Sequence, residues 1–173
     1  EFEKARSLIS KGHLKEAHSH LILALESHPQ DPSLLFLLGI ALYKVDQAED
    51  ALKYLSKAIE VQPKFAEAHF NLGTILMERG DLERAVASLR QAHKLKPEDV
   101  DTLRNLCKTL IGLGEPDHAI RVFQRVVAKN SNNPQLLLMY GLMLAEIGRW
   151  EASAISLRRV IRLKPEWSGI QHN

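Results

Sequence analysis

The hydrophobic positions of this chain recur at three- and four-residue steps, which is the spacing of an amphipathic helix. One segment carries this pattern at Phe65, Ala68, His69, Leu72, Ile75 and Leu76, and the next carries it at Leu82, Ala85, Val86, Leu89, Ala92 and Leu95. Gly80-Asp81 separates the two segments, and Asp81 is suited to cap the second helix with its carboxylate. Lys96-Pro97 ends that helix, because a residue before proline avoids helical geometry. The pattern predicts pairs of antiparallel helices of roughly 12–14 residues each.

The same pattern returns every 34 residues. Glycine marks one position of the period at Gly39, Gly73 and Gly141, and Cys107 takes the fourth place. Other positions repeat as Ala17, Ala51, Ala85 and Ala119, and as Leu21, Leu55, Leu89, Phe123 and Leu157. Mid-helix glycine costs about 1 kcal/mol against alanine, so its return predicts a close approach of two helices. We expect the alanines to face that gap and the leucines to fill it one turn later. A fixed period of this size predicts stacked copies of one small unit.

These residues resemble the tetratricopeptide repeat family, whose unit is a 34-residue helix–turn–helix. One copy matches it at Asn71-Leu72-Gly73, Gly80-Asp81, Ala85, Leu89, Ala92 and Pro97. The resemblance implies an all-α, right-handed superhelical solenoid of antiparallel helix pairs. It divides residues 1–173, taken as a single domain, into 1–31 (partial), 32–65, 66–99, 100–133 and 134–167, with 168–173 starting a further truncated helix. The chain departs from the family at Ser153, Val126 and Val160, where alanine is usual, so the last two copies are expected to pack differently.

The ends of the chain lie inside the repeat pattern, so we expect it to come from a longer protein. An uncapped end of a repeat array exposes apolar core, which predicts possible self-association.

The resemblance implies that a partner lies on the inner surface, which the first helix of each pair lines. The residues predicted to form this groove are Phe36, Ile40, Tyr43, Phe70, Asn71, Thr74, Met77, Arg104, Asn105, Lys108, Leu138 and Leu142. Leu37 is expected on the same face. Aromatic and Met side chains are common interface anchors, although some of them alternatively only pack between neighbouring helices.

Arg104 and Lys108 lie four residues apart and share a helical face, where they are suited to grip a carboxylate together with Asn71 and Asn105. A solvated basic pair is the alternative. The function predicted first is therefore a non-catalytic protein–protein interaction scaffold that binds a partner peptide or helix in the groove. The cations of the chaperone-binding subtype are missing from the flanking positions.

Two other functions stay open. Asn71 and Asn105 give two positions of the asparagine ladder found in the O-linked N-acetylglucosamine transferase type, so the chain is alternatively the substrate-recognition or regulatory arm of a larger enzyme. The second helices of the later copies are basic, which weakly suggests nucleic-acid binding on the convex face. Their basic residues are Arg90, Lys94, Arg121, Arg125, Lys129, Arg158, Arg159, Arg162 and Lys164. Aromatic residues are not interleaved with these charges, so a solvated surface is favoured.

Composition changes this picture little. Hydrophobic residues form 45% and charged residues 25% of the 173 residues, with a net charge of +2. The longest apolar run, Leu34 to Leu38, is too short to span a bilayer, so no membrane partner is expected. A lone cysteine excludes an internal disulfide and mildly favours a reducing, cytoplasmic compartment. The eight histidines are poorly spaced for chelation, and no phosphate-binding glycine loop is present, so we expect no metal, cofactor, small-molecule substrate or catalytic site.

Overall fold

A computed structural model describes residues 1–167, and this part of the chain contains ten α-helices. The helices are α1 (Phe2–Ser10), α2 (Leu14–Ser27), α3 (Pro32–Lys44), α4 (Ala48–Val61), α5 (Ala66–Glu78), α6 (Leu82–Leu95), α7 (Val100–Gly112), α8 (Pro116–Lys129), α9 (Pro134–Glu146) and α10 (Trp150–Leu163). A single 3-10 turn follows at 165–167. Consecutive helices pack in antiparallel pairs, which confirms the predicted all-α class.

The helices form two compact units. The first unit, Glu1–Lys96, holds α1 to α6, and the second begins at Pro97 and holds α7 to α10. The division of the chain into one domain with repeats at the stated bounds stays a prediction. The further helix expected at 168–173 lies outside the described residues.

Polar side chains start the first helix of three pairs. The Asp31 carboxylate accepts hydrogen bonds from the backbone N–H groups of Ser33 at 2.8 Å and Leu34 at 3.1 Å. Asp99 and Asn133 cap α7 and α9 in the same manner, at 2.9 Å and 3.1 Å. Each cap satisfies backbone donors that the first helical turn leaves without partners, which fixes where the helix begins.

The signals predicted for the second helix of the third pair are found, and α8 shows one more. Asp81 caps α6 with a longer hydrogen bond, 3.4 Å, from the Arg84 backbone N–H. Pro116 is the first residue of α8, where its missing N–H costs nothing. The helix α6 ends at Leu95, directly before Lys96-Pro97.

One turn geometry joins the two helices of every pair. The residue after the C-cap has a positive φ in all five turns, and it is Gly12, Asp46, Gly80, Gly114 or Gly148. In the third pair the Gly80 N–H donates to the Met77 carbonyl at 3.1 Å, and the Asp81 N–H donates to the Leu76 carbonyl at 3.0 Å. These two bonds define a Schellman motif, which reverses the chain and uses carbonyls that the helix end leaves open.

Glycine in the middle of the first helix brings three pairs into close contact. A Cβ atom on Gly73 would lie 2.6 Å from Leu89 Cγ and 3.2 Å from the Ala85 carbonyl oxygen. On Gly39 it would lie 2.8 Å from Leu55 Cγ, and on Gly141 it would lie 2.8 Å from the Leu157 side chain. Real Cβ contacts do not reach such distances. The expectation that leucine from the second helix fills the space above glycine is therefore confirmed.

The fourth pair packs less closely. Cys107 occupies the glycine position and Phe123 occupies the leucine position. The backbones of α7 and α8 approach each other over a shorter stretch than those of α3 and α4, α5 and α6, or α9 and α10. The different packing expected of the last two copies is thus found in the fourth pair alone. In the fifth pair, Ser153 fits the alanine position because its hydroxyl donates to the Gly141 carbonyl at 2.7 Å.

Among the described residues, no helix has both the length and the apolar character needed to cross a bilayer.

We predict that Asp46→Gly stabilises the fold by about 0.5–1 kcal/mol, because a residue with a Cβ is strained at positive φ and Asp46 has φ of 63°. Chemical denaturation measures the change. The reverse change, Gly80→Asp at φ of 81°, is the matched control and should destabilise by a similar amount. A loss of stability in Asp46→Gly would contradict the account of the turn.

We also predict that Gly73→Ala and Leu89→Ala are coupled. Alanine at position 73 costs about 1–3 kcal/mol through overpacking against Leu89, and Leu89→Ala alone costs about 2–5 kcal/mol by leaving a cavity. The added methyl group fills part of that cavity in the double variant, which should be more stable than the sum of the single effects implies, by about 1 kcal/mol or more. Unfolding free energies that add within about 0.5 kcal/mol would rule out the direct contact.

Candidate functional site

The twelve predicted groove residues lie on the first helices of four pairs, and each of them is at least partly exposed. Seven belong to α3 and α5 of the first unit and five to α7 and α9 of the second. Leu37 was expected beside them, and this was wrong. Its side chain is only 5% exposed and belongs to the core of the first unit, because α3 is apolar around most of its circumference.

In the first unit, several predicted groove residues also stabilise the fold. Phe36, Ile40, Tyr43 and Met77 are half-buried and pack on the core beneath them. The Phe36 ring lies 4.9 Å from the ring of Phe65, between their centroids. The helix-packing alternative is therefore correct in part, and only the exposed edges of these side chains are offered to a partner.

A hydrogen bond joins α3 to α5 on this surface. The Tyr43 hydroxyl donates to the Glu78 carboxylate, and this bond, together with partial burial and the charge of Glu78, raises the pKa of Tyr43 to about 12. Asn71 is occupied locally, since its amide N–H₂ donates to the Glu67 carbonyl of its own helix at 2.8 Å. Lys96 forms an ion pair with the Glu67 carboxylate. The polar groups of this surface are thus already partnered by neighbours in the same unit.

The second unit contains an open cleft of about 480 Å³. Its walls come from three helices, and the lining residues are Arg104, Cys107, Lys108 and Ile111 of α7, Phe123 of α8, and Met139, Leu142, Met143 and Glu146 of α9. The structure therefore brings together three of the predicted groove residues, Arg104, Lys108 and Leu142. Asn105 and Leu138 lie on the same helices but do not line the cleft.

The floor of the cleft is buried and apolar. Cys107, Phe123 and Met143 are at most 7% exposed, whereas the side chain of Leu142 is 57% exposed. The Phe123 ring lies 5.4 Å from that of Tyr140 on α9. Burial raises the pKa of the Cys107 thiol to about 12, and its sulfur lies 3.7 Å from the Ala119 carbonyl oxygen. A buried thiol with a raised pKa stays protonated at neutral pH and is a poor nucleophile.

Charged groups stand at the edge of the cleft. Arg104 forms an ion pair with Asp101, one turn earlier on α7, and both side chains are more than half exposed. Lys108 is exposed and has no ion pair within the described part of the chain, and Glu146 of α9 lines the same cleft. Of the predicted group, Arg104, Asn105 and Lys108 belong to α7 of the second unit and Asn71 belongs to α5 of the first unit, so the group as a whole stays a prediction.

Six of the nine lining residues were not among the twelve predicted groove residues: Cys107, Ile111, Phe123, Met139, Met143 and Glu146. Cys107 and Phe123 were treated as core, and Met143 was not considered. The signal for Cys107 and Phe123 was present in the sequence, because both depart from the repeat in the same copy. As for metal sites, the described residues contain no group of three or more His, Cys, Asp or Glu side chains arranged to hold an ion.

Comparison with known proteins agrees with this geometry. Models of the tetratricopeptide repeat match residues 2–44, 36–100 and 76–141. No curated protein sequence matches the chain.

Solved structures with a similar fold include three tetratricopeptide-type proteins. MamA from Desulfovibrio magneticus RS-1 has a TM-score of 0.77 at 19% identity, over 99% of this chain and 94% of its own. PilF of Pseudomonas aeruginosa has a TM-score of 0.77 at 22% identity, and the match covers 95% of this chain and 73% of PilF. YrrB, a tetratricopeptide repeat protein with an unusual peptide-binding site, has a TM-score of 0.67 at 23% identity. The match covers 84% of this chain and 75% of YrrB. These TM-scores show a shared fold, and at identities of 19–23% the likeness shows the fold alone. With the family models matching most of its length, this chain belongs to the tetratricopeptide repeat family, whose members typically mediate protein–protein interactions.

Proposed function

We propose that this chain is a non-catalytic interaction module that binds a peptide segment of a partner protein on the exposed faces of its first helices. The observation that carries the proposal is the open cleft of about 480 Å³ in the second unit, where an apolar floor is edged by charged side chains. A few polar groups around an apolar concavity are the usual design of a recognition site.

The first unit supports the same proposal with a second surface. Phe70 and Met77 on α5 keep part of their side chains exposed, as do Ile40 and Tyr43 on α3. Aromatic and Met side chains are enriched at protein interfaces because they give large contact areas with adaptable shapes. The likeness in fold to YrrB, which has a peptide-binding site, is in line with a peptide ligand.

Binding along these faces needs no chemical step. Arg104 supplies a planar cation at the edge of the cleft, although a ligand carboxylate has to compete with Asp101 for it. Because that ion pair is exposed, its loss costs little, and exchange of one carboxylate for another is easy. Lys108 lies one turn further along α7 and offers a second cation on the same face. The proposed partner segment therefore combines apolar with acidic side chains.

We predict that changes on the first helices weaken peptide binding and that changes on the second helices do not. The probe is a peptide enriched on the immobilised wild-type chain from a random-peptide display library, with Kd measured by fluorescence anisotropy. Phe70→Ala or Arg104→Glu should raise Kd by about tenfold, the size expected when an interface anchor of about 1.4 kcal/mol is lost.

The matched controls are Leu23→Ala on α2, whose side chain is 63% exposed, and Arg121→Glu on α8, which is also exposed. Both controls should bind within about twofold of wild type, since neither lies on a first helix. Weakening by the control changes alone would move the binding surface to the second helices. Retention on a polyanion that falls steeply with salt would instead favour nucleic-acid binding by the basic side chains.

A further inference from the structure

The fourth helix pair differs from its neighbours at two positions that contact each other in the repeat. The pairs α3/α4, α5/α6 and α9/α10 each place glycine against leucine with no room for a further carbon atom. In α7/α8 both members are larger, Cys107 for glycine and Phe123 for leucine. An interior without free volume has no space for such an increase, so the two helices have to separate.

The separation coincides with the cleft of the second unit. The backbones of α7 and α8 stay close over a shorter stretch than those of the three glycine-containing pairs. Cys107 and Phe123 both line the cleft, and both are almost fully buried at its floor. Cys107 and Phe123, which are larger than their repeat equivalents, therefore hold the two helices apart, and the cleft opens directly above their side chains.

The cleft has the lining of a pocket for one large apolar side chain. Ile111, Met139, Leu142 and Met143 surround the floor with flexible or branched apolar groups. A volume of about 480 Å³ falls in the range of roughly 300–1,000 Å³ that is typical of ligand sites. Methionine adjusts its three torsions to the shape of a guest, so the pocket admits leucine, methionine or an aromatic ring.

The charges at its edge select the neighbours of that side chain. Arg104 and Lys108 contribute two cations from α7, but Arg104 is paired with Asp101, and Glu146 contributes a carboxylate from α9. Lys108 has no ion pair in the part of the chain that the structure describes. Electrostatic complementarity therefore favours an acidic residue next to the apolar one, on the α7 side.

We infer that Cys107 and Phe123 open the fourth helix pair into a specificity pocket that takes one bulky apolar side chain of an acidic peptide. This inference rests on the proposed peptide-binding function. It adds which side chain of the peptide is recognised and which pocket binds it. The selectivity for a bulky apolar side chain arises from two buried residues, because they create the space for it. The exposed residues only surround the entrance of the pocket.

Methionine methyl NMR tests the inference directly, because the chain has three methionines and two of them, Met139 and Met143, line the cleft. Met77 on α5 belongs to the first unit and reports contact with the surface there. Peptides enriched from the display library should carry a bulky apolar residue next to Asp or Glu. With ¹³C-methyl-methionine labelling of the chain, these peptides should shift the Met139 and Met143 signals, whether or not Met77 also shifts.

The double variant Cys107→Gly/Phe123→Leu restores the pairing of the other repeats and should close the pocket. We expect it to stay folded by circular dichroism and to bind the peptide at least tenfold more weakly. Leu142→Glu is a second test that does not touch the core, since its side chain is exposed, and Leu23→Glu is its control on α2. Leu142→Glu should weaken binding at least tenfold by repelling the acidic residue, and Leu23→Glu should leave it within twofold.

The outcomes separate the two proposals. Peptides that shift Met77 alone, or that bind the double variant and Leu142→Glu as tightly as wild type, overturn the pocket and leave the peptide-binding function standing. A library that yields no peptide for the wild-type chain overturns both. If the double variant does not fold, Leu142→Glu and the methyl shifts decide.

Discussion

The close contact of two antiparallel helices is the constraint on which the rest of this structure depends. A glycine on the first helix and a leucine on the second leave no room for a side chain between them in three of the pairs. Each pair is too small to bury its own apolar faces, so its stability comes from this contact and from the neighbouring pair. The glycine lowers helix propensity and is kept because it allows the leucine to approach.

The same contact explains how the fold accommodates the cleft of the second unit without a change in its helix bounds. Cys107 and Phe123 take the places of glycine and leucine, while α7 keeps its polar cap and the Schellman turn at Gly114. The helix bounds therefore follow the 34-residue period, while the backbones of α7 and α8 stay close over a shorter stretch than in the glycine-containing pairs. An opening of this kind is local, because the caps and turns that define the pair are made by the backbone and by residues outside the contact.

The sequence was sufficient for the fold because its local signals agree with one another. Caps such as Asp81, the proline at position 116 and the turn glycines all depend on nearest neighbours in the chain, and they predict the observed helix bounds. The glycine–leucine contact was also predictable, since both residues recur with the same period. Predictions of this kind need only one pair of helices and the known geometry of its turn.

The exposure of single side chains was harder to predict. Leu37 is equivalent to the polar Asn71 and Asn105 of the next two copies, yet its side chain is buried, because burial depends on how neighbouring helices pack. The cleft was missed for a related reason: Cys107 was read as a tolerated small residue, while its effect depends on Phe123, sixteen positions later. Volume shared by two helices is not visible in the pattern of either one.

The turns within the pairs have a further consequence for the length of the chain. All five place one residue with positive φ between a C-cap and the next helix, with the same two main-chain hydrogen bonds. No residue is spare in such a tight reversal. Inserting one amino acid there would rotate the second helix by about 100°, given 3.6 residues per turn, and aim its leucine away from the glycine. The turn within each pair is therefore a place where this chain does not accept a change in length.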